Sequence, residues 1–115
     1  MVKKAKVDYD YENDVLYVYT DENIKDSLGI DNFIIDFSPN NVVVGVEVLD
    51  ASQILSNMLE EKITKKILSE IMEVGISVYQ GREIIFITLV LHVIIRKQKT
   101  DLRIPIPDAP MVVSV

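Results

Sequence analysis

Four carboxylates alternate along the first predicted hairpin, namely Asp8, Asp10, Glu12 and Asp14. Carboxylate oxygens are the ligands that hard cations such as Ca²⁺ prefer. A helix-flanked calcium loop needs glycine at its sixth position and glutamate at its twelfth. Counting from Asp8, those positions hold Asn13 and Tyr19, so that motif is excluded. A looser cation site at the turn stays open, beside the alternative that Asp10 and Asp14 bond nearby backbone amides.

Asp36 and Glu47 are acids inside apolar segments, on neighbouring strands of one predicted hairpin. We expect them to share a face without touching. Paired carboxylates perform acid–base chemistry when burial separates their pKa values, but the sequence places no nucleophile beside them. A solvent-facing pair on a half-exposed sheet is the alternative, and both residues are candidate binding residues.

His92 is the single histidine of a chain that has no cysteine. One chain therefore cannot build a multi-histidine or cysteine metal site. A lone histidine in the most apolar predicted strand is more often a hydrogen-bonded, half-buried residue than a catalyst. We predict no catalytic residue, no metal site and no cofactor.

Tyrosines at four positions of the same hairpin are the strongest sign of a binding surface: Tyr9, Tyr11, Tyr17 and Tyr19. Strand alternation predicts that all four share one face. Tyrosine is enriched at interfaces because it combines apolar area with a polar tip. Core packing with the hydroxyls at the rim explains the pattern equally well, and both interpretations stay open.

Charge and composition limit the classes of partner. The 115 residues carry a net charge of −6, with 4 Lys/Arg and 11 Asp/Glu before residue 51 and 8 and 7 after it. An acidic chain is repelled by phosphate backbones, so we expect no nucleic-acid partner. The longest apolar run, residues 84–95, is shorter than the ~20 residues of a membrane span. Missing cysteine and signal sequence favour the cytoplasm, and many Lys and Glu beside Ile and Val are typical of a thermophilic source.

The elements that position these residues change period after Asp50. Alternating segments predict strands over 7–11, 15–19, 33–37 and 42–49, with a polar loop over 20–32, which together form an antiparallel four-stranded meander. Asp50 and Gln53 resemble a capping box that starts a helix. A spacing of four then predicts a central helical segment over 51–72, which is one long helix or two short ones broken at Ser56–Asn57. Gly75 is the predicted helix stop.

A C-terminal three-stranded antiparallel meander follows, with strands over 76–79, 83–96 and 102–106. Pro105 and Pro107 lack a backbone donor, so the last strand should lie at a sheet edge. The predicted fold class is α+β, and residues 1–115 form a single domain.

One face of the long strand predicts self-association. Its even positions include Phe86, Val90, His92 and Ile94. Helices over one face of the sheet would leave this face as an exposed apolar patch, which a twofold dimer would bury. The apolar tail 111–115 could pack across the same joint. If the helices split and covered both faces, the protein would be a monomer.

Two stretches carry a resemblance to a known family. They are YDYENDVLYV at residues 9–18 and VVGVEVLDAS at residues 43–52, with Asp36 inside the strand between them. They resemble the family of unknown function numbered 2283 among domains of unknown function, over roughly residues 6–55, while residues 56–115 form an extension outside it. The resemblance implies a compact β-meander followed by a helix, no established activity, and for some members a gene context like that of antitoxin-like partners of small toxins.

These observations favour an interaction protein without enzyme activity, acting as a homodimer or as an antitoxin-like partner of a second protein. The alternative is a small-ligand or cation-binding module that uses the acidic N-terminal hairpin. An enzyme ranks third, because no nucleophile and base occur at readable spacing.

Overall fold

The structure is a computed structural model that describes residues 2–81 and 85–106. Within these ranges the strands are β1 Val2–Asp10, β2 Val15–Tyr19, β3 Asp26–Ile30, β4 Phe33–Phe37, β5 Val43–Val48, β6 Glu73–Gln80, β7 Ile85–Ile95 and β8 Gln98–Ile106, and the helices are α1 Ala51–Leu59 and α2 Lys65–Ser69. No helix in the described part of the chain is long and apolar enough to cross a membrane.

All eight strands form one antiparallel sheet in the order β3-β4-β5-β2-β1-β6-β7-β8, shaped as a half-barrel. The predicted α+β class, with two meanders separated by a helical segment, is therefore wrong, although the antiparallel pairing is confirmed. β1 causes the difference, because residues 6–10 pair with β2 while residues 2–5 pair with β6. Its lysine-rich start has no clear strand pattern in the sequence, yet it joins the two halves into one sheet.

The N-terminal strands do not follow one another as a meander. β2 pairs with β5, so the hairpin β1–β2 lies beside the three strands β3–β4–β5. β3 lies inside the segment predicted as a loop, because its exposed residues hide the alternation and only Leu28 and Ile30 are half-buried. β3 and β8 are the two ends of the described sheet. The edge position predicted for the last strand from Pro105 is confirmed.

The helices are shorter than the period-four pattern predicts. Glu60 has a left-handed backbone and ends α1, so the break does not fall at Ser56–Asn57. The Ser56 hydroxyl instead accepts a hydrogen bond from the Ile63 amide at 2.8 Å and thereby holds the connection between the helices. Gly75 is not a helix stop, because it lies inside β6, where the Val2 side chain occupies the space that a Cβ atom would need.

Both helices cover the same side of the sheet. Their buried side chains, Ala51, Leu55 and Leu68, belong to one core with Ile63 of the connection and with the alternate residues of the strands. The account in which the helices split over both faces is therefore wrong for the described residues. The opposite side is called the outer face below. It carries the even residues of β1, β4 and β7, the odd residues of β2 and β6, and Gly45 and Glu47 of β5.

Candidate functional site

Asp14 fastens the first hairpin to helix α1. Its carbonyl oxygen accepts the Ala51 amide at 2.9 Å. One carboxylate oxygen accepts the Tyr9 hydroxyl at 2.6 Å, and the other accepts the Ser52 hydroxyl at 2.7 Å. The Ser52 amide donates to both carboxylate oxygens, at 3.0 and 3.2 Å. Asp14 thus caps the helix from 38 residues away in sequence.

This arrangement replaces the predicted capping box. Asp50 occupies the N-cap position, but its backbone is left-handed and its side chain makes no capping hydrogen bond. A capping side chain needs an extended backbone at its own position to reach the first turn. Since Asp50 lacks that geometry, the buried carboxylate of Asp14 accepts the orphan amide instead.

The electrostatics of Asp14 and Tyr9 follow from their contact. Burial by itself raises the pKa of the Asp14 carboxyl, but the hydrogen bonds from Tyr9 and Ser52 outweigh it and hold that pKa below its ordinary value. Burial, followed by the hydrogen bond to Asp14, raises the pKa of the Tyr9 hydroxyl. The pair therefore stays a neutral phenol bonded to a carboxylate over the usual range of pH.

A second polar network lies on the outer face over Gly45. The buried Asp36 carboxylate accepts the Tyr17 hydroxyl at 2.7 Å and the Ser27 hydroxyl at 2.6 Å. A Cβ atom on Gly45 would lie 2.8 Å from the Asp36 carboxylate and 2.9 Å from the Tyr17 hydroxyl. Burial, with the Asp36 hydrogen bond next, raises the pKa of Tyr17. Glycine is required here because two side chains meet above it.

The four tyrosines do not share one face, so that prediction is wrong. β1 and β2 pair with Tyr9 opposite Leu16, which places Tyr9 on the core side and Tyr17 on the outer face. Tyr17 and Tyr19 stack there with ring centroids 4.8 Å apart. Tyr11 lies exposed in the turn. Four residues separate Asp10 from Val15, and the length of this turn sets the register. Because the turn length can be read from the sequence, it could have predicted that the tyrosines lie on different faces.

Asp36 and Glu47 share the outer face as expected, but they are not direct partners. Glu47 lies opposite Tyr17 on β2 and Ile34 on β4, whereas Asp36 lies opposite Gly45. The Asp36 carboxylate is engaged by hydroxyls of its own chain. Asp36 is therefore buried under side chains of its own chain, whereas Glu47 is half-exposed.

The acidic hairpin does not gather its carboxylates around one point. Asp10 accepts the backbone amide and the side-chain amide of Asn13, at 3.0 and 2.8 Å. Asp14 points instead toward α1. Across the described residues no three histidine or acidic side chains are placed to hold a metal ion. The turn uses its acids as local hydrogen-bond acceptors.

His92 pairs across strands with Asp101, through its Nδ1 atom and one carboxylate oxygen. On its other side it lies opposite Glu73 of β6. A cavity of about 430 Å³ opens beside these three residues. Sequence reasoning missed Asp101, which its spacing of nine residues from His92 around a short turn could have indicated.

The predicted interface residues differ in accessibility. Phe86 is 55% exposed and Ile94 is 46% exposed on the outer face, while Val90 between them is only 2% exposed. Val90 is therefore part of the fold and cannot offer area to a partner. Tyr79, which the sequence did not single out, is 68% exposed and lies opposite Phe86, with ring centroids 6.0 Å apart. The predicted contribution of residues 111–115 lies outside the described residues.

Comparisons with known proteins identify sequence relatives of this chain. The family described as protein of unknown function, DUF2283, matches residues 6–52. An uncharacterized protein of Methanocaldococcus jannaschii is 38% identical over 85 residues, which cover 66% of this chain and 73% of that protein. A Methanosarcina mazei protein named putative hypoxanthine phosphoribosyltransferase is 35% identical over 49 residues, which cover 42% of this chain and 40% of that protein. No solved structure matches the chain.

The matched segment contains both polar networks. Asp14 from the first stretch bonds Ser52 from the second, and Tyr17 from the first lies over Gly45 from the second. The two stretches that carry the predicted resemblance are thus in contact in space. With this contact and the match over residues 6–52, the resemblance is confirmed, and the chain belongs to the DUF2283 family of proteins of unknown function.

Proposed function

We propose that this protein is an interaction module without enzyme activity, which acts as a homodimer through the outer face of β6 and β7. The observation that supports this most strongly is the exposed aromatic pair of Tyr79 and Phe86. Soluble monomers rarely expose contiguous aromatic surface, and aromatic side chains are enriched in interface cores. The half-buried neighbours Ser77 and Thr88 continue the patch along the two strands.

The position of the helices supports the same face. They cover the core side of the sheet, so the chain offers no helix to the outer face of β6 and β7 in the described residues. Ile94 extends the exposed apolar surface at the other end of this face. Burying a large side chain contributes about 1.5–3 kcal/mol, so a few per subunit would offset the cost of association. A chain without cysteine suits a reducing compartment, and we place this association in the cytoplasm.

Light scattering coupled to size exclusion tests the proposal. At high micromolar concentration the wild-type protein should have twice the 13.1 kDa mass of one chain. Phe86→Lys combined with Ile94→Lys should reduce the mass to that of a monomer while the circular dichroism spectrum is unchanged. The matched control is Ile24→Lys combined with Val42→Lys, because both residues are exposed and apolar but lie in loops of the N-terminal half. This control should leave the dimer intact.

A wild-type monomer under these conditions would refute the proposal. A dimer that survives the Phe86 and Ile94 substitutions would show that the chain associates through another surface. A dimer lost equally in the loop control would assign the effect to added charge, which would also contradict a dedicated face.

A further inference from the structure

We infer that the partner on this face is a second copy of the chain, related by a twofold axis that runs parallel to the strands, midway between β6 and β7. The inference rests on the proposed function and specifies its geometry. Rotation about this axis turns the two outer faces toward each other and exchanges the two strands. Each residue of β6 then lies over a β7 residue of the second copy. That β7 residue has the same number as the one with which it pairs across strands within its own chain.

The register makes this exchange self-complementary. Four cross-strand pairs occupy the outer face, and they are Glu73 with His92, Gly75 with Val90, Ser77 with Thr88 and Tyr79 with Phe86. Under the proposed axis an aromatic ring meets an aromatic ring, and a hydroxyl meets a hydroxyl. Both aromatic residues are also the most exposed apolar side chains of the two strands.

The pair of Glu73 and His92 follows the same rule. Glu73 of one copy would face His92 of the other, which can donate a hydrogen bond to a carboxylate. Beyond this pair, Ile94 of β7 is exposed and apolar on the outer face. Apolar side chains therefore lie at both ends of the face, with polar contacts between them.

The centre of the face is not bare, because the Val2 side chain lies over Gly75. Val90 is 2% exposed, so its own chain already covers it. A second copy therefore makes its apolar contacts chiefly through the exposed aromatic residues, Tyr79 and Phe86.

Repulsion between like charges at the edges of the proposed interface opposes this arrangement. Lys4 lies opposite Gly75, and Arg103 lies opposite Val90, so these two exposed cations would face each other across the dimer. Long cationic side chains can turn their charged ends into water while their stems cover apolar surface. The like charges therefore weaken the dimer without blocking it.

An axis across the strands would give different neighbours. If it passed over Val90, Thr88 would face His92 of the second copy, and Phe86 would face Ile94. Arg103 would also lie over its own counterpart. The two arrangements are distinguishable because they bring different residues of β7 into contact.

Engineered thiols test the axis, since the chain has no cysteine of its own. Ser77→Cys and Thr88→Cys are made as separate variants with different affinity tags, so that neither contains an intrachain pair. The two are mixed, equilibrated and oxidised. The expected result is a disulfide-linked species carrying both tags, which exceeds the product of either variant oxidised on its own. The control mixture combines Thr88→Cys with His92→Cys and should give little linked product.

The outcomes separate the inference from the proposed function. Linkage in the Ser77 and Thr88 mixture, with a dimer mass for both unoxidised variants, supports the axis. A dimer mass with linkage in the control mixture, or with no linkage in either, overturns the axis and leaves the proposed function standing. A monomer mass for the wild-type protein overturns both.

Discussion

Replacing the Asp14 carboxylate should destabilise the fold, because that group holds the first hairpin to α1. Asp14→Asn keeps the size of the side chain but removes its charge and turns one acceptor into a donor. The buried carboxylate accepts the Tyr9 hydroxyl and the Ser52 hydroxyl and amide. Hydrogen bonds to a charged group contribute about 1.5–3 kcal/mol, against about 0.5–1.5 kcal/mol for neutral ones. Loss of a helix cap costs about 1 kcal/mol.

We therefore expect Asp14→Asn to lower the free energy of unfolding by about 2–4 kcal/mol at neutral pH. Urea denaturation followed by circular dichroism measures this value. The matched control is Asp10→Asn, four residues away, whose exposed carboxylate accepts hydrogen bonds from residues of the same turn. The control should lose much less stability, because water replaces its hydrogen bonds.

The effect should depend on pH with a defined sign. The pKa of Asp14 is lowered in the folded state, so its stabilisation is fully present above the unfolded pKa of about 3.9 and is lost as the pH falls through the folded value. The gap between wild type and Asp14→Asn should therefore be constant from neutral pH to about pH 5 and close at more acidic pH. A gap below about 0.5 kcal/mol at neutral pH, within the range of ordinary surface substitutions, would refute the reasoning.

Two further predictions concern the network over Gly45. Gly45→Ala should cost about 1–3 kcal/mol by overpacking against Asp36 and Tyr17, whereas Gly29→Ala, where nothing lies within 4 Å of the added atom, should be close to neutral in the same denaturation assay. Similar losses at both glycines would contradict this. Because the pKa of Tyr17 and of Tyr9 is raised, spectrophotometric titration should show two tyrosines ionising above the ordinary tyrosine pKa of about 10. In Tyr17→Phe one of these two should disappear, and an unchanged titration curve would contradict the assignment.

The local sequence pattern was sufficient to predict several strands and the helical region. β2 and β4 have the bounds predicted from β-branched and aromatic alternation, because each has one face in the core and one outside. The helices fall inside the predicted segment, since their apolar residues face one side at a spacing near four. Pro105 correctly indicated an edge strand. Each of these features depends on neighbours a few residues away.

The candidate site was only partly predictable. In the sequence, Asp36 is recognisable as an acid within a strand. Phe86 and Ile94 are recognisable as apolar residues on the second face of a strand. The residues that contact them cannot be identified from the sequence. Tyr79 lies in a short strand whose exposed end has no distinctive pattern, so its role beside Phe86 is visible only in the pairing. Asp14 has ordinary turn chemistry in sequence, and the contact with Ser52 that gives it a structural role spans 38 residues.

The sequence by itself determined the antiparallel pairing, the positions of most strands, the region that contains the helices and the family, because each rests on short-range alternation, spacing or motifs. Tertiary structure alone decided that β1 joins both halves, that β2 pairs with β5, that Asp14 rather than Asp50 caps α1, and that the tyrosines divide between two faces. These choices depend on which strand edges meet and in which register. A shift of one residue exchanges the two faces of a strand, so the outcome is fixed by the packing of the whole core and not by the local pattern of any strand.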